Sequence, residues 1–265
     1  MRSWHRHLVV VAVVGLGMLG ARGAWAAPVL WIDDSANNLG TVDIGTNTVT
    51  VIGNMGGDTM TDIAFAPNGI LYGVSFANLY TINTTTAAAT LVGATGQTLN
   101  ALVFGADGTL YSAGPSGTNL YTVNTTTGSA SSIGNIGFAS AGDLAFNAGN
   151  LYMSSTGNTL IRISLPVVGG TSVGAMGFAS VFGLATASNG VLYGVSGNNI
   201  FSTNTTTGAG TLVLTYGGGL GAANGTAFVD EANPVPEPST LAAGVMAALV
   251  GLGIAARRRL SRSAS

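Results

Sequence analysis

The stretch DIAFAPNGILYGVSFANLYTINTTTAAATLVG, residues 62–93, contains four short apolar segments separated by turn residues. The first two segments flank Asn68-Gly69, and an Asn-Gly dipeptide between two apolar runs is a strong signal for a β-hairpin. The third segment, NLYTI, leads into a Thr-rich turn, and the fourth, ATLVG, ends the unit. Four short strands joined by tight turns predict one four-stranded antiparallel sheet.

The same unit recurs along the chain and is marked by pairs of leucine and an aromatic residue. The pairs are 41, 39, 41 and 41 residues apart, and they are Leu30-Trp31, Leu71-Tyr72, Leu110-Tyr111, Leu151-Tyr152 and Leu192-Tyr193. A fixed period near forty residues with four strands per period is typical of a β-propeller blade. A leucine-rich repeat fits less well, since its unit has 20–29 residues and one strand.

The ends of the repeat array predict how the ring closes. The first unit lacks its innermost strand, whereas a spare strand, NGTAFVDE at residues 224–231, follows the fifth unit. Pairing of this strand with the blade formed by residues 30–53 would leave no open sheet edge. We therefore predict an all-β, five-bladed β-propeller over residues 27–232, closed by its C-terminal strand. Phenylalanines on the inner strands are expected to pack between blades, namely Phe65, Phe104, Phe146 and Phe228; Thr186 breaks this series.

The charge and composition of residues 27–232 limit the possible functions. Arg162 is the single basic residue in this range, which also contains nine acidic residues, so the net charge is near −8. Nucleic acid is therefore not expected as a partner, because phosphate neutralisation requires clustered Lys and Arg. The range has no His and no Cys, which excludes a His-based triad, a thiol nucleophile and the usual zinc sites. We predict no cofactor, no metal site and no enzymatic activity.

One face of the propeller is expected to bind a ligand. Neutral carbohydrate would be recognised there by hydroxyls, amides and an aromatic platform. The candidate residues are Trp31, Asp33, Asp34, Asp62, Phe138, Asp143 and Phe178. Packing of Phe138 and Phe178 beneath their GFAS loops remains the alternative to their exposure.

The acidic residues leave two further possibilities open. A carbohydrate-active hydrolase would need a positioned acid and base, and the carboxylates expected on the same face also include Asp58, Asp230 and Glu231. Calcium coordination by Asp33 with Asp34, or by Asp58 with Asp62, is chemically conceivable because oxygen ligands suit that ion. No spacing in the sequence matches a calcium-binding loop.

Three turns carry Asn-Thr-Thr-Thr, beginning at Asn83, Asn124 and Asn204. They fit the glycosylation acceptor pattern. Asn and Thr side chains also form hydrogen bonds to the backbone of hairpin turns. We predict the structural role for these residues.

The N-terminus has the three parts of a secretory signal. MRSWHRH is basic, LVVVAVVGLGMLG is apolar, and Ala24-Trp25-Ala26 supplies small residues for cleavage. Residues 1–26 are therefore predicted to be a signal peptide.

The C-terminus has the composition of a membrane anchor. We divide it into a Pro-rich motif at residues 233–240, a transmembrane helix at 241–256 and a basic tail at 257–265. The apolar run would rise about 24 Å as a helix, slightly less than a full span. The tail contains Arg257, Arg258, Arg259 and Arg262. These arginines are expected to stay cytoplasmic by the positive-inside rule, which leaves the propeller outside.

The C-terminal segment closely resembles the PEP-CTERM sorting signal of Gram-negative bacteria. The motif residues are Val235, Pro236, Glu237, Pro238, Ser239 and Thr240. The resemblance implies recognition by an exosortase-type membrane protease after export across the inner membrane. It also implies delivery to the cell surface or to an extracellular polysaccharide matrix, with the C-terminal helix as at least a transient anchor. The repeat pattern of the body resembles that of NHL-type and YVTN-type propellers. The expected function is a non-catalytic structural, adhesion or carbohydrate-binding module; the hydrolase is the alternative.

Overall fold

The computed structural model describes residues 27–232, in which twenty β-strands form five four-stranded antiparallel sheets. No helix in this range is long and apolar enough to cross a membrane. The predicted signal peptide, sorting motif, transmembrane helix and basic tail lie outside the described residues.

Each sheet is one blade, and its four strands lie side by side from the axis outward. Blade I consists of β20 (Ala223–Ala227), β1 (Val29–Asp34), β2 (Asn38–Asp43) and β3 (Thr48–Asn54). Blade II consists of β4 (Asp62–Phe65), β5 (Leu71–Val74), β6 (Asn78–Ile82) and β7 (Ala89–Ala94). Blade III consists of β8 (Ala101–Phe104), β9 (Leu110–Ala113), β10 (Asn119–Val123) and β11 (Ala130–Asn135). Blade IV consists of β12 (Ser140–Asn147), β13 (Asn150–Ser155), β14 (Thr159–Ser164) and β15 (Gly169–Ala175). Blade V consists of β16 (Val181–Thr186), β17 (Leu192–Ser196), β18 (Asn199–Thr203) and β19 (Gly210–Thr215).

The ring closes as the sequence predicted. β20 pairs antiparallel with β1, so that Trp31 lies opposite Ala227 and Ile32 lies opposite Thr226. β20 also contacts the inner strands on both sides, β16 and β4. The last strand therefore completes the first blade, and the fold is a five-bladed β-propeller.

The ring has two faces with different loops. Every inner strand runs from what we call the upper face to the lower face. The upper face carries the turns between second and third strands and the loops that lead from one blade to the next. The lower face carries the other hairpins, and both ends of the described chain lie there, because β1 begins and β20 ends on that side.

Aromatic pairs join the blades. The aromatic residue of one blade contacts the phenylalanine on, or directly after, the inner strand of the next, with ring centroids 5.3 to 5.8 Å apart. The pairs are Trp31–Phe65, Tyr72–Phe104, Tyr111–Phe146 and Tyr193–Phe228. This confirms the predicted interblade position of the four phenylalanines. In the fifth junction Thr186 occupies the phenylalanine position; its side chain is buried and accepts a hydrogen bond from Asn147 at 3.3 Å.

The Asn-Thr-Thr-Thr turns have the predicted structural role. In each, the asparagine Oδ1 accepts hydrogen bonds from the backbone N–H groups two and three residues later, at 2.8 to 3.0 Å. Asp43 makes the equivalent bonds in blade I, to Gly45 and Thr46 at 2.9 Å. The repeated turn therefore depends on a side-chain oxygen that mimics a backbone carbonyl.

Candidate functional site

Three of the predicted acidic residues converge inside the ring. Asp62 begins β4, Asp143 lies in β12, and Asp33 lies near the end of β1; all three side chains are fully buried. A Cβ at Gly225 would collide with the carboxylates of both Asp33 and Asp62. Glycine at this point of β20 therefore allows the two acids to approach the same place.

Asp62 and Asp143 satisfy backbone groups on the axial edges of the inner strands. Asp62 Oδ2 accepts a hydrogen bond from Leu102 N–H at 2.5 Å, and Asp143 Oδ2 accepts one from Leu184 N–H at 2.6 Å. Thr226 Oγ1 also donates to Asp143 Oδ2, at 3.1 Å. Because these edges have no neighbouring strand, the carboxylates supply acceptors that the sheets lack.

The two carboxyl groups are also hydrogen-bonded to each other. Burial, the charge of Asp143 and this hydrogen bond raise the pKa of Asp62 well above its usual range. Burial likewise raises the pKa of Asp143, although the hydrogen bonds that it accepts act in the opposite direction. A hydrogen bond between two carboxyl groups requires a proton on one of them. The pair therefore holds a proton between its two carboxyl groups, and the two groups titrate together rather than as separate sites.

Asp33 is the least satisfied polar group of the interior. Neither carboxylate oxygen has a hydrogen-bond partner within the described residues. Burial raises the pKa of Asp33 to about 8; the nearby backbone N–H groups of Asp33 and Gly225 act in the opposite direction, and the charge of Asp34 adds to the rise. Asp33 is therefore a neutral carboxylic acid at pH 7.

Asp34 has a structural role beside it. Its Oδ1 accepts hydrogen bonds from the backbone of Ala36 and Asn38 at 2.9 and 2.8 Å, and its Oδ2 accepts one from Gly221 at 2.8 Å. The side chain therefore shapes the β1–β2 turn and ties it to the loop before β20.

The predicted aromatic candidates lie away from the axis. Trp31 is half-buried in the interface with blade II. Phe138 packs against the core between blades III and IV, and Phe178 stacks on Phe201 with ring centroids 4.1 Å apart. The structure thus places both GFAS phenylalanines against neighbouring side chains and only partly open to solvent.

The accessible site on the upper face is a cavity of about 400 Å³ at the mouth of the axis. Two phenylalanine side chains line it and are well exposed, Phe76 at 53% and Phe182 at 37%. Its other lining residues are Asp58, Thr59, Thr61, Ser75, Ala77, Asn100, Ala141, Gly142 and Asn224. Concave sites with apolar walls and a few polar groups are typical of small-molecule binding sites.

Sequence reasoning missed Phe76 and Phe182 as site residues. Phe76 lies in the turn between β5 and β6, where the other blades have small or polar residues and Pro115. That departure from the repeat was the available signal. Phe182 follows the first residue of β16 and has no distinguishing sequence context.

A second cavity, of about 490 Å³, opens on the lower face. It is lined by Asp107, Tyr111, Phe146, Asp230 and Glu231, among others. The expectation that Asp230 and Glu231 share a face with Asp58 is therefore wrong. The physical reason is that β20 runs downward as a single strand, so the residues after it emerge below the ring.

The carboxylates of the lower cavity have opposite electrostatic environments. Burial and the charge of Asp143 raise the pKa of Glu231 well above its usual range, and Glu231 Oε1 accepts a hydrogen bond from Thr186 N–H at 3.2 Å. The backbone and side chain of Thr109 lower the pKa of Asp107. Within residues 27–232, no group of three His, Cys, Asp or Glu side chains is placed to hold a metal ion.

Comparisons with known proteins agree on the fold. No protein-family model matches the sequence, and no curated protein matches it. A structural genomics protein of unknown function from Bacteroides thetaiotaomicron matches with a TM-score of 0.53 and 16% identity over 75% of this chain, which spans 58% of that protein. A chain of the nidogen/laminin complex matches with a TM-score of 0.51 and 10% identity, over 76% of this chain and 98% of that one. At these identities the likeness shows the propeller fold alone.

Proposed function

We propose that this protein is an exported surface or matrix module whose upper cavity binds carbohydrate without catalysis. The observation that carries the proposal is the pair of exposed phenylalanines, Phe76 and Phe182, at a concave site that also offers amides, hydroxyls and one carboxylate. Aromatic faces and hydrogen-bonding groups together suit a sugar ring, which has apolar C–H faces and a polar rim.

The position of the cavity is consistent with this role. It lies on the face opposite the one from which both ends of the described chain leave. A C-terminal anchor would therefore hold the lower face toward the membrane and leave the upper cavity open to extracellular polymers.

Binding of soluble oligosaccharides to the full chain in a non-ionic detergent tests the proposal. We expect Phe76→Ala and Phe182→Ala each to weaken binding about tenfold or more, because each removes apolar contact with the ligand. Leu212→Ala is the matched control, since Leu212 is equally exposed at 53% but lies on the outer strand β19. Unchanged binding in both phenylalanine variants would refute the assignment of the site.

Sorting through the C-terminal motif is the second half of the proposal, and it is supported by the Pro-Glu-Pro sequence ahead of an apolar run and three arginines. The intact mass of the protein from the envelope and medium of its host tests it. Loss of residues 1–26 and of the residues beyond the Pro-Glu-Pro motif is expected. A mass that retains residues 241–265 would instead indicate a permanent single-pass anchor.

One observation favours a hydrolase as the second candidate. Glu231, whose pKa is raised, and Asp107, whose pKa is lowered, line the same lower cavity. Such a divergence is the usual arrangement of a general acid and a carboxylate base. Release of reducing ends from polysaccharide, abolished by Glu231→Gln, would favour this candidate over the binding module.

A further inference from the structure

The side-chain amides of the upper cavity direct their N–H groups into the protein. Asn100 Nδ2 donates to the carbonyl of Ala141 at 2.9 Å, and Asn224 Nδ2 donates to the carbonyl of Met60 at 3.1 Å. These bonds fix the orientation of both amides. Their Oδ1 atoms accept no hydrogen bond within the described chain; that of Asn100 is buried, and that of Asn224 remains as a free acceptor beside the cavity.

Two hydroxyl groups of the cavity also donate their hydrogens to acceptors within the protein. Ser75 Oγ donates to Asp58 Oδ2 at 3.1 Å, and Thr61 Oγ1 donates to the carbonyl of Val74 at 3.0 Å. A hydroxyl has one hydrogen but two acceptor lone pairs. Ser75 Oγ already accepts hydrogen bonds from the backbone N–H groups of Ala77 and Asn78, at 3.4 and 3.0 Å. Thr61 Oγ1 keeps its lone pairs free of donors from the described residues, so it can accept a hydrogen bond from a ligand more readily than it can donate one.

Asp58 is the one charged residue that lines the cavity. Its Oδ2 accepts three hydrogen bonds, from Ser75 Oγ at 3.1 Å, Asn78 Nδ2 at 2.8 Å and Tyr80 OH at 2.8 Å. The side chains of Asn78, Tyr80 and Ser75 thereby lower the pKa of Asp58 and keep it ionised. Its Oδ1 has no partner within residues 27–232. The carboxylate is therefore held in place through one oxygen while the other remains free.

The side-chain polar groups of the cavity are thus mainly acceptors, and their single charge is negative. A ligand that matches them must be rich in donors and carry a positive charge. An ammonium group has three donors and no acceptor, and its hydrogen bond to a carboxylate is about twice as strong as a neutral one. Phe76 and Phe182 add aromatic faces to which a cation is attracted.

We propose that the upper cavity selects saccharides that carry a protonated primary amine, such as glucosamine units of a de-N-acetylated polysaccharide. This inference rests on the proposed carbohydrate-binding function and specifies its ligand. Asp58 is the specificity-determining residue, and Phe76 and Phe182 contact any sugar ring that enters the cavity. Attraction of the amine is not opposed by a basic side chain, because Arg162, the single basic residue of residues 27–232, lies exposed on the third strand of blade IV.

The test compares two probes of equal length, a glucosamine oligosaccharide and its N-acetylated counterpart, by calorimetric titration of the full chain in non-ionic detergent at pH 6. We expect the amine-bearing probe to bind about tenfold more tightly. Asp58→Asn should abolish this preference and leave the affinity for the N-acetylated probe within about twofold. Retained binding of that probe also shows that the variant is folded.

Asp43→Asn is the matched control, since it removes the same charge from a turn on the lower face, at the position where other blades carry asparagine. It should leave the preference intact. The preference of the unaltered protein should also fade as pH rises through the pKa of the ligand amine, a readout that needs no variant.

The outcomes separate the two proposals. Equal binding of both probes by the unaltered protein, or a preference that survives Asp58→Asn, would overturn the amine inference and leave the carbohydrate site intact. A loss of preference in Asp43→Asn as large as that in Asp58→Asn would also overturn it, because it would indicate general attraction to a negative protein. Failure of both probes to bind would overturn the proposed function itself and the inference with it.

Discussion

The buried, unpartnered carboxyl of Asp33 predicts that this protein loses stability as pH rises from 5 to 7. The pKa of Asp33 is about 8 in the native state, whereas the unperturbed value of an aspartic acid, which applies to the unfolded chain, is 3.8. Between these values the unfolded chain has lost a proton that the native chain keeps. The free energy of unfolding therefore falls by about 1.4 kcal/mol for each pH unit, or roughly 3 kcal/mol from pH 5 to pH 7.

Other groups act in the same direction or outside this window. The pKa values of Asp62, Asp143 and Glu231 are also raised, so these residues can only steepen the decline. The pKa values of Asp43, Asp58 and Asp107 are lowered, and their contribution to stability is present above the unfolded pKa and is lost below it. They leave the interval from pH 5 to 7 almost unaffected.

Urea unfolding of residues 27–232 at several pH values measures the effect. Trp31 is the single tryptophan in this range and packs edge-on against Phe65 at 5.4 Å, so its fluorescence reports on the junction of blades I and II. Asp33→Asn should reduce the pH slope by about 1.4 kcal/mol per unit, because the amide does not titrate. Asp107→Asn should leave the slope unchanged. Stability that is flat or rises between pH 5 and 7, or an unaltered slope in Asp33→Asn, would refute the assignment of a neutral Asp33.

Three further predictions concern the turns, the ring closure and the tail. Asn124→Ala removes two hydrogen bonds to Thr126 and Thr127 and should lower the free energy of unfolding by about 1 kcal/mol, measured by urea denaturation; a change below experimental error would contradict the structural role of this turn. Deletion of residues 225–231 should lower the melting temperature strongly because it opens the ring, and an unchanged value would be incompatible with closure by β20. Replacement of Pro236-Glu237-Pro238 by alanines should leave export intact and retain the tail, as judged by intact mass; normal trimming would refute recognition through this motif.

Most of the fold could be predicted from the repeat, because two independent signals mark the strands of each blade: the turn residues between them and the apolar residues within them. The Leu-aromatic pairs gave the period, and the position of residues 224–231 gave the closure. The four inner-strand phenylalanines occupied the predicted junctions because the same two positions meet in every junction. Thr186 marked the one junction that would differ, but the sequence did not show that Asn147 would bond to it.

The site was less predictable because it depends on what the ring brings together. Asp62 and Asp143 lie 81 residues apart in the sequence, and their shared proton follows only from the narrow axis. Asp33 was expected at a ligand face, yet the approach of Gly225 buries it. The upper cavity depends on Phe76, which occurs in a single turn, so an alignment of the repeats shows it only as a departure from the pattern and not as part of a site.

The route of β20 has a mechanical consequence. Asn224 lines the upper cavity at one end of this strand, and the chain leaves the ring five residues beyond its other end, at Ala232. Tension between a polymer held above and a tail held below would act along the strand, across the hydrogen bonds that pair it with β1. Such bonds must break together under shear, whereas those of a hairpin pulled from one end break in turn. The propeller would therefore transmit load through its axis and spare the hairpins at its rim.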